Sequence, residues 1–214
     1  MKRILLLLLP LFALAGSANA FTTVIIDAGH GGKDPGGIPF NLACEKTLAL
    51  DVAGRLGEIM REEGIRTIMT RTNDTFIPLP ARVAVANAHP GALFVSIHFN
   101  SGLRRGANGF ETFYYNPKSA PIATRVYSEL ERMNPGERRG VKRRALYVLR
   151  KTRGAAVLVE CGFLTNPQET ALCLTPAYRE KLARAIAKAI TDGQLASSKD
   201  SEPAKKNDTK DHSG

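Results

Sequence analysis

Tryptophan is missing from this chain, and cysteine and histidine are scarce, at three and four of 214 residues. Three thiols (Cys44, Cys161 and Cys173) allow at most one bridge with one left over. No disulfide framework is therefore available, and stability must come from a packed core. Glycine-serine linkers and internal repeats are also lacking, so nothing divides the middle of the chain into separate domains. The spacing G-x-x-x-x-G-K-[ST] does not occur in the glycine-rich stretch GHGGKDPGG, which argues against a nucleotide-binding phosphate loop. Long apolar runs are limited to one, Ile4–Ala15, which is shorter than the roughly 20 residues that cross a bilayer.

That run follows Lys2 and Arg3 and precedes Ala18-Asn19-Ala20, the pattern of a secretory signal peptide cleaved after Ala20. Residues 1–20 are expected to leave on export. The mature chain would then be periplasmic or secreted, with no stable membrane insertion. At the other end SSKDSEPAKKNDTKDHSG offers only Pro203 and Ala204 as apolar residues, and residues 196–214 are expected to form a disordered polar tail. A single catalytic domain is expected over residues 21–195.

The formal net charge is +10, two units of which, Lys2 and Arg3, would depart with the leader. Much of the excess falls in Arg138–Arg153, where eight of sixteen residues are Lys or Arg. An exported protein rarely meets nucleic acid, so no nucleic-acid partner is expected. An anionic polymer of the cell envelope fits the charge, and a solvated basic face with no partner fits it equally.

Short apolar, β-branched runs occur at Thr22–Asp27, Arg66–Thr70, Leu93–Ile97, Phe110–Tyr115, Ala145–Leu149 and Ala155–Val159, as in strands buried on both faces. Helical stripes lie between them. Leu48, Val52, Leu56, Ile59 and Met60 mark a helix over Glu45–Glu63 with Gly64 as its stop. Ile122, Val126, Leu130 and Met133 mark another over Pro121–Met133. Asn166-Pro167 and Thr175-Pro176 read as capped helix starts, the second followed by Leu182, Ile186 and Ile190. The alternation predicts a single α/β domain, a twisted, mostly parallel sheet of about six strands with helices on both faces. Ligands of such sheets bind beyond the carboxyl ends of the strands.

Those ends carry chemistry. The first run leads into His30, the third ends at His98, the last at Glu160, and Glu45 opens the helix after the glycine-rich loop. Taken singly, each has an ordinary explanation: a turn histidine, a core histidine, a favourable charge at a helix N-terminus, a salt-bridge partner for the basic segment. Those explanations predict no common location. Two histidines and a carboxylate are the ligands of hydrolytic zinc sites, which leave a position for water. The remaining carboxylate, Glu160, suits a proton shuttle from attacking water to leaving nitrogen.

The blocks IIDAGHGGKDPGG, EKTLALDVAGRL, MTRTND, LPARVAVAN, LFVSIHFNS, GFETFYY, VLVECGFLTNP and YREKLARAIAKAI occur in this order. In that order the chain resembles the zinc-dependent N-acetylmuramoyl-L-alanine amidases of the third amidase family, over nearly all of residues 21–195. The resemblance implies one zinc ion held by His30, Glu45 and His98, a catalytic Glu160, and Asn100 near the metal as a substrate-binding residue. It implies peptidoglycan as substrate, cut between N-acetylmuramic acid and L-alanine. It also gives Gly31, Gly32, Gly36 and Gly37 a reading as bare backbone passing close to the metal, beside ordinary turn chemistry.

Two departures from the family follow. Some members insert a long segment after the strand matching GFETFYY, whose helix blocks the cleft until a partner removes it. Here 22 residues separate Tyr115 from Arg138 and the Pro121–Met133 helix uses them, so no activator protein is expected to be required. No wall-binding module accompanies the domain, so retention at the wall would rest on the basic face and the cleft. Cys44 and Cys161 flank the two glutamates, which leaves a disulfide between them open against separate thiols. A wall-binding protein with decayed catalysis would be expected to lack one of the four groups. A zinc peptidase acting within the stem peptide shares the chemistry but not the ordered blocks.

Overall fold

Six strands form one sheet in the order β2-β1-β3-β6-β4-β5: β1 (Thr23–Ala28), β2 (Arg66–Met69), β3 (Leu93–Asn100), β4 (Glu111–Tyr114), β5 (Val141–Arg143) and β6 (Ala155–Phe163). The structure is a computed structural model that describes residues 21–38, 40, 44–104 and 106–199. The leader expected over residues 1–20 and the tail beyond residue 199 lie outside the described residues. Strands β2, β1, β3 and β6 run parallel; β4 pairs antiparallel with β6 and parallel with β5. The sheet is thus mostly parallel, and helices cover both faces.

Alternate strand residues explain the two layers, since successive side chains point to opposite faces. Val24, Ile26, Val95, Ile97, Val157 and Val159 face α1 (Glu45–Glu62), α3 (Ala120–Met133) and α6 (Pro176–Lys199) in the larger core. Ile25, Phe94, Ala156 and Leu158 face α2 (Leu79–Asn87) and α4 (Tyr147–Lys151) in the smaller one. Helix α1 stops at Gly64, whose φ of 75° lets the Ile65 N–H turn back to the Met60 carbonyl at 2.9 Å. Asn166 caps α5 (Pro167–Cys173), its side chain accepting from the N–H groups of Gln168 and Glu169. Helix α6 continues to Lys199, past the boundary at 195 drawn from composition.

Two elements differ from the sequence expectation. The run Ala145–Leu149 is no strand: Tyr147–Lys151 is the short helix α4, and Val141–Arg143 supplies the sixth strand. The apolar pair Val148 and Leu149 is there to pack on Val83 and Ala86 of α2. An edge strand written Val-Lys-Arg lacks the apolar signature because charged edges discourage further pairing. Helix α2 is the second difference. Its stripe is weak because the face it buries includes Arg82 among small residues.

All three cysteines are free, so the separate-thiol alternative holds. Cys161 is fully buried in the larger core, the face of β6 opposite to Glu160.

Ile186 of α6 is fully buried in the larger core. Ile186→Ala is expected to lower the unfolding free energy by about 2–5 kcal/mol, measured by urea denaturation. A loss below about 0.5 kcal/mol would show that this layer does not carry the fold.

Candidate metal centre

His30, Glu45 and His98 meet at the carboxyl ends of β1 and β3. The Gly29 N–H, just past β1, donates to the Ile97 carbonyl at 3.0 Å and keeps the chain against β3 for one more residue. A Cβ on Gly29 would lie 2.3 Å from Cε1 of His98, so the His98 imidazole needs a glycine there. His30 then takes φ 59°, left-handed backbone that costs a residue with a side chain about 1–3 kcal/mol. The loop returns so closely that a Cβ on Gly36 would sit 2.6 Å from Oε2 of Glu45 and 2.7 Å from Cδ2 of His30. Of the glycines expected to line the metal, Gly36 and Gly37 do approach Glu45, whereas Gly31 and Gly32 pack against Arg71, Thr75 and Phe76.

Glu45 is the hinge of the cluster. Its Oε1 lies 3.0 Å from Nε2 of His30 and 3.0 Å from Nδ1 of His98. Backbone N–H groups fix both oxygens, Phe99 donating to Oε1 at 3.0 Å and Gly37 to Oε2 at 2.9 Å. Asp34 holds Nδ1 of His30 at 2.9 Å, which turns Nε2 inward. One donor atom from each of the three residues lies within 4.8 Å of the others. Two imidazoles and a carboxylate, oriented by partners behind them, suit a divalent ion of the zinc class.

The electrostatics agree. Burial works to lower the His30 pKa, but the carboxylates of Glu45 and Asp34 outweigh it and hold the imidazole at about 8. Burial likewise works to lower the His98 pKa, but the carboxylates of Glu45 and Glu160 outweigh it and hold the imidazole above its ordinary value. Burial would raise Glu45, yet the two imidazoles keep it far below the usual carboxylate range. Protons on these rings and a metal ion compete for the same nitrogen atoms.

Glu160 on β6 stands opposite His98 of β3, and Glu111 of β4 stands opposite Glu160, so the three side chains form a row on one face. Past that row the β3–β6 register slips, Asn100 pairing with Phe163, which opens the ladder at the site. Oε2 of Glu160 is buried without a hydrogen-bond partner. Burial, helped by the charges of Glu45 and Glu111 and opposed by the imidazoles, pushes its pKa up to about 7. Asn100 projects from the end of β3 and donates from Nδ2 to Oε2 of Glu111 at 2.8 Å. Arg139 Nε and Lys142 Nζ reach the other Glu111 oxygen at 3.1 and 2.5 Å.

The sequence reading passed over the residues that brace this site. Arg82, 3% exposed, donates to Asp27, to the carbonyls of Ala28 and His30 at 2.6 Å each, and to Ile77. Arg71 donates to the carbonyls of Ala28 and Gly29 and to Lys46, the residue after Glu45. The two guanidinium groups thus tie the His30 loop to the start of α1. Asp27, buried at the end of β1, also accepts from Ser96 and Thr70. An acid ending an apolar run was a visible signal at Asp27. An arginine inside a short apolar helix was a fainter one at Arg82.

Lysine cannot span the four acceptors of Arg82. Arg82→Lys is expected to weaken metal binding roughly 10–100-fold, as loss of a group behind a ligand does, in titration against a competing chelator. Unchanged affinity in a folded variant would contradict the bracing role. Glu160 binds its proton more tightly folded than unfolded, so its stabilising effect is complete below about pH 4.3 and is lost as pH rises through about 7. In the metal-free protein Glu160→Gln should therefore raise the melting temperature at pH 8, and the gain should vanish by about pH 4. A gain independent of pH would refute that assignment.

The comparisons with known proteins come to the same place. The family model described as N-acetylmuramoyl-L-alanine amidase matches residues 24–192. N-acetylmuramoyl-L-alanine amidase LytC of Bacillus subtilis is 36% identical over 168 residues, 77% of this chain and 34% of that protein. The catalytic domain of CwlV, an N-acetylmuramoyl-L-alanine amidase from Bacillus (Paenibacillus) polymyxa var. colistinus, superposes with a TM-score of 0.77 at 34% identity, covering 80% of this chain and 97% of that one. The CwlD amidase from Clostridioides difficile, solved in complex with the GerS lipoprotein, gives a TM-score of 0.77 at 30% identity over 81% and 98% of the two chains. This chain belongs to the N-acetylmuramoyl-L-alanine amidase family.

Proposed function

We propose that the protein is a zinc-dependent amidase of the cell envelope that hydrolyses the amide between N-acetylmuramic acid and L-alanine in peptidoglycan. The observation that carries this reading is the convergence of His30, Glu45 and His98 beside the unpartnered oxygen of Glu160. The three converging residues would hold one zinc ion. Bound there, zinc supplies a Lewis acid that polarises an amide carbonyl and acidifies water.

The remaining work belongs to the chain. Glu160, with a pKa near neutrality and an oxygen unclaimed by any protein donor, accepts a proton from the attacking water. It then passes that proton to the departing nitrogen. A carbon–oxygen bond forms, the carbon–nitrogen bond breaks, and the products are the lactyl carboxylate and a free L-alanine amino terminus. In this reading Asn100, whose amide donates to Glu111, holds substrate beside the reacting atoms. The low dielectric of the half-buried site strengthens each of these contacts.

Export by the leader of residues 1–20, the single domain over 21–195 and the polar tail remain part of this proposal, which places the enzyme in the periplasm or outside the cell. Among the described residues no helix is long and apolar enough to cross a membrane. The proposal includes activity without an activator. Helix α3 occupies the stretch between Tyr115 and Arg138 and buries Ile122, Val126 and Leu130 in the larger core instead of offering them to the cleft.

Purified mature protein is expected to release stem peptides with unmodified L-alanine amino termini from sacculi, identified by mass spectrometry, with no second protein added. Fragments cut at any other bond would overturn the activity, and cleavage only after a partner is added would overturn the independence. Glu160→Gln should retain bound zinc while turnover falls about 10²–10⁴-fold, whereas His98→Ala should lose both; a Glu160→Gln enzyme of normal rate removes Glu160 from the chemistry.

A further inference from the structure

Four of the eight exposed large apolar side chains among the described residues, Phe76, Leu79, Leu146 and Tyr147, line one cavity of about 470 Å³. Scattered exposed apolar residues need no explanation, but four gathered in one concavity mark a binding surface. His30 and His98 form part of its wall, so the cavity is continuous with the metal centre. Its volume lies within the roughly 300–1,000 Å³ of small-molecule sites. Lys33 sits 4.9 Å above the Phe76 ring and holds it at the rim. Asp34, which also lines the cavity, is paired with His30, and Asp27 with Arg82, so the acids there are matched by cations.

The opposite end of the row differs in kind. Beyond Glu160 stand Glu111 and, upon it, Arg139 and Lys142. Arg139 also reaches Glu137, which Arg104 pairs in turn, so three cations face two carboxylates there. The Arg139 guanidinium lies 4.4 Å above the Phe163 ring, which fixes its plane beside the cleft.

The two halves of the substrate differ in the same way. The saccharide half is uncharged around its ring and presents carbon–hydrogen faces suited to aromatic and aliphatic walls. The peptide half carries carboxylates, which the cation pair would attract. We propose that the cleft is polarised across the metal centre: the Phe76–Tyr147 cavity takes the muramic acid ring, and the Arg139–Lys142 pair takes a carboxylate of the stem peptide. This assignment rests on the amidase reading above and adds the direction in which substrate lies.

Two ratios of kcat/KM test it, each measured with zinc-loaded protein on soluble substrates. The first compares a muramyl peptide with the same peptide carrying only the lactyl group; the second compares the muramyl peptide with its carboxyl-terminal amide. Phe76→Ser and Tyr147→Ser should each lower the first ratio about tenfold and leave the second in place. Lys142→Met should lower the second about tenfold and leave the first. These positions are at least partly exposed, and metal content and circular dichroism measured alongside verify that each variant is folded. The opposite pattern, or ratios that none of the variants moves, overturns the orientation while the amidase reading stands. A wild-type protein that cleaves no muramyl peptide overturns both.

Discussion

One buried carboxylate, that of Glu45, organises this protein. Removing a charged acid from water is costly unless its oxygens find partners of opposite charge or donors of fixed geometry. Glu45 has both, two imidazoles on one oxygen and a backbone N–H on each. Those partners come from two distant stretches of the chain, His30 and Gly37 from the glycine loop and His98 and Phe99 from the end of β3. Satisfying Glu45 therefore requires the glycine loop, the end of β3 and the start of α1 to be in register together. The site and the fold around it are a single constraint.

The sheet provides that register. Parallel strands in the order β1-β3-β6 carry their polar groups at the same height, with His98 opposite Glu160 and the His30 loop alongside. Arg71 and Arg82 then lock the left-handed turn at His30 to α1 through the carbonyl oxygens of Gly29, His30 and Lys46. Removing either guanidinium would strip a carbonyl of the His30 loop of its donor, that of Gly29 for Arg71 and that of His30 for Arg82, at a cost of about 1–3 kcal/mol. A strained ligand loop braced by buried cations is rigid before any metal arrives. Such preorganisation is what an electrostatic active site requires.

Much of this was legible in the sequence because it rests on periodicity and on polar residues in unlikely places. The α1 and α3 stripes, the caps at Asn166 and Thr175, and the polar ends of three apolar runs all followed from local patterning. Strand Val141–Arg143 escaped because an edge strand need not be apolar, and α4 was mistaken for it because five residues show no helical period. Arg71, Arg82 and Glu111 escaped for another reason. Their roles depend on which carbonyl or carboxylate the fold brings to them, across 42, 52 and 11 residues in the bonds to Gly29, His30 and Asn100. Gly29 could be read as a loop glycine, but the reason for it, an imidazole where a Cβ would be, exists only in three dimensions.

The central claim is that His30, Glu45 and His98 share one ion with Glu160 facing it. Anomalous diffraction at the zinc edge from crystals of the zinc-loaded protein tests this most directly. The account predicts a single strong peak roughly 2.0–2.2 Å from Nε2 of His30, a carboxylate oxygen of Glu45 and Nδ1 of His98, with the Glu160 carboxylate outside the coordination sphere. A peak elsewhere, or one that leaves out any of the three or takes Glu160 as a ligand, would contradict it.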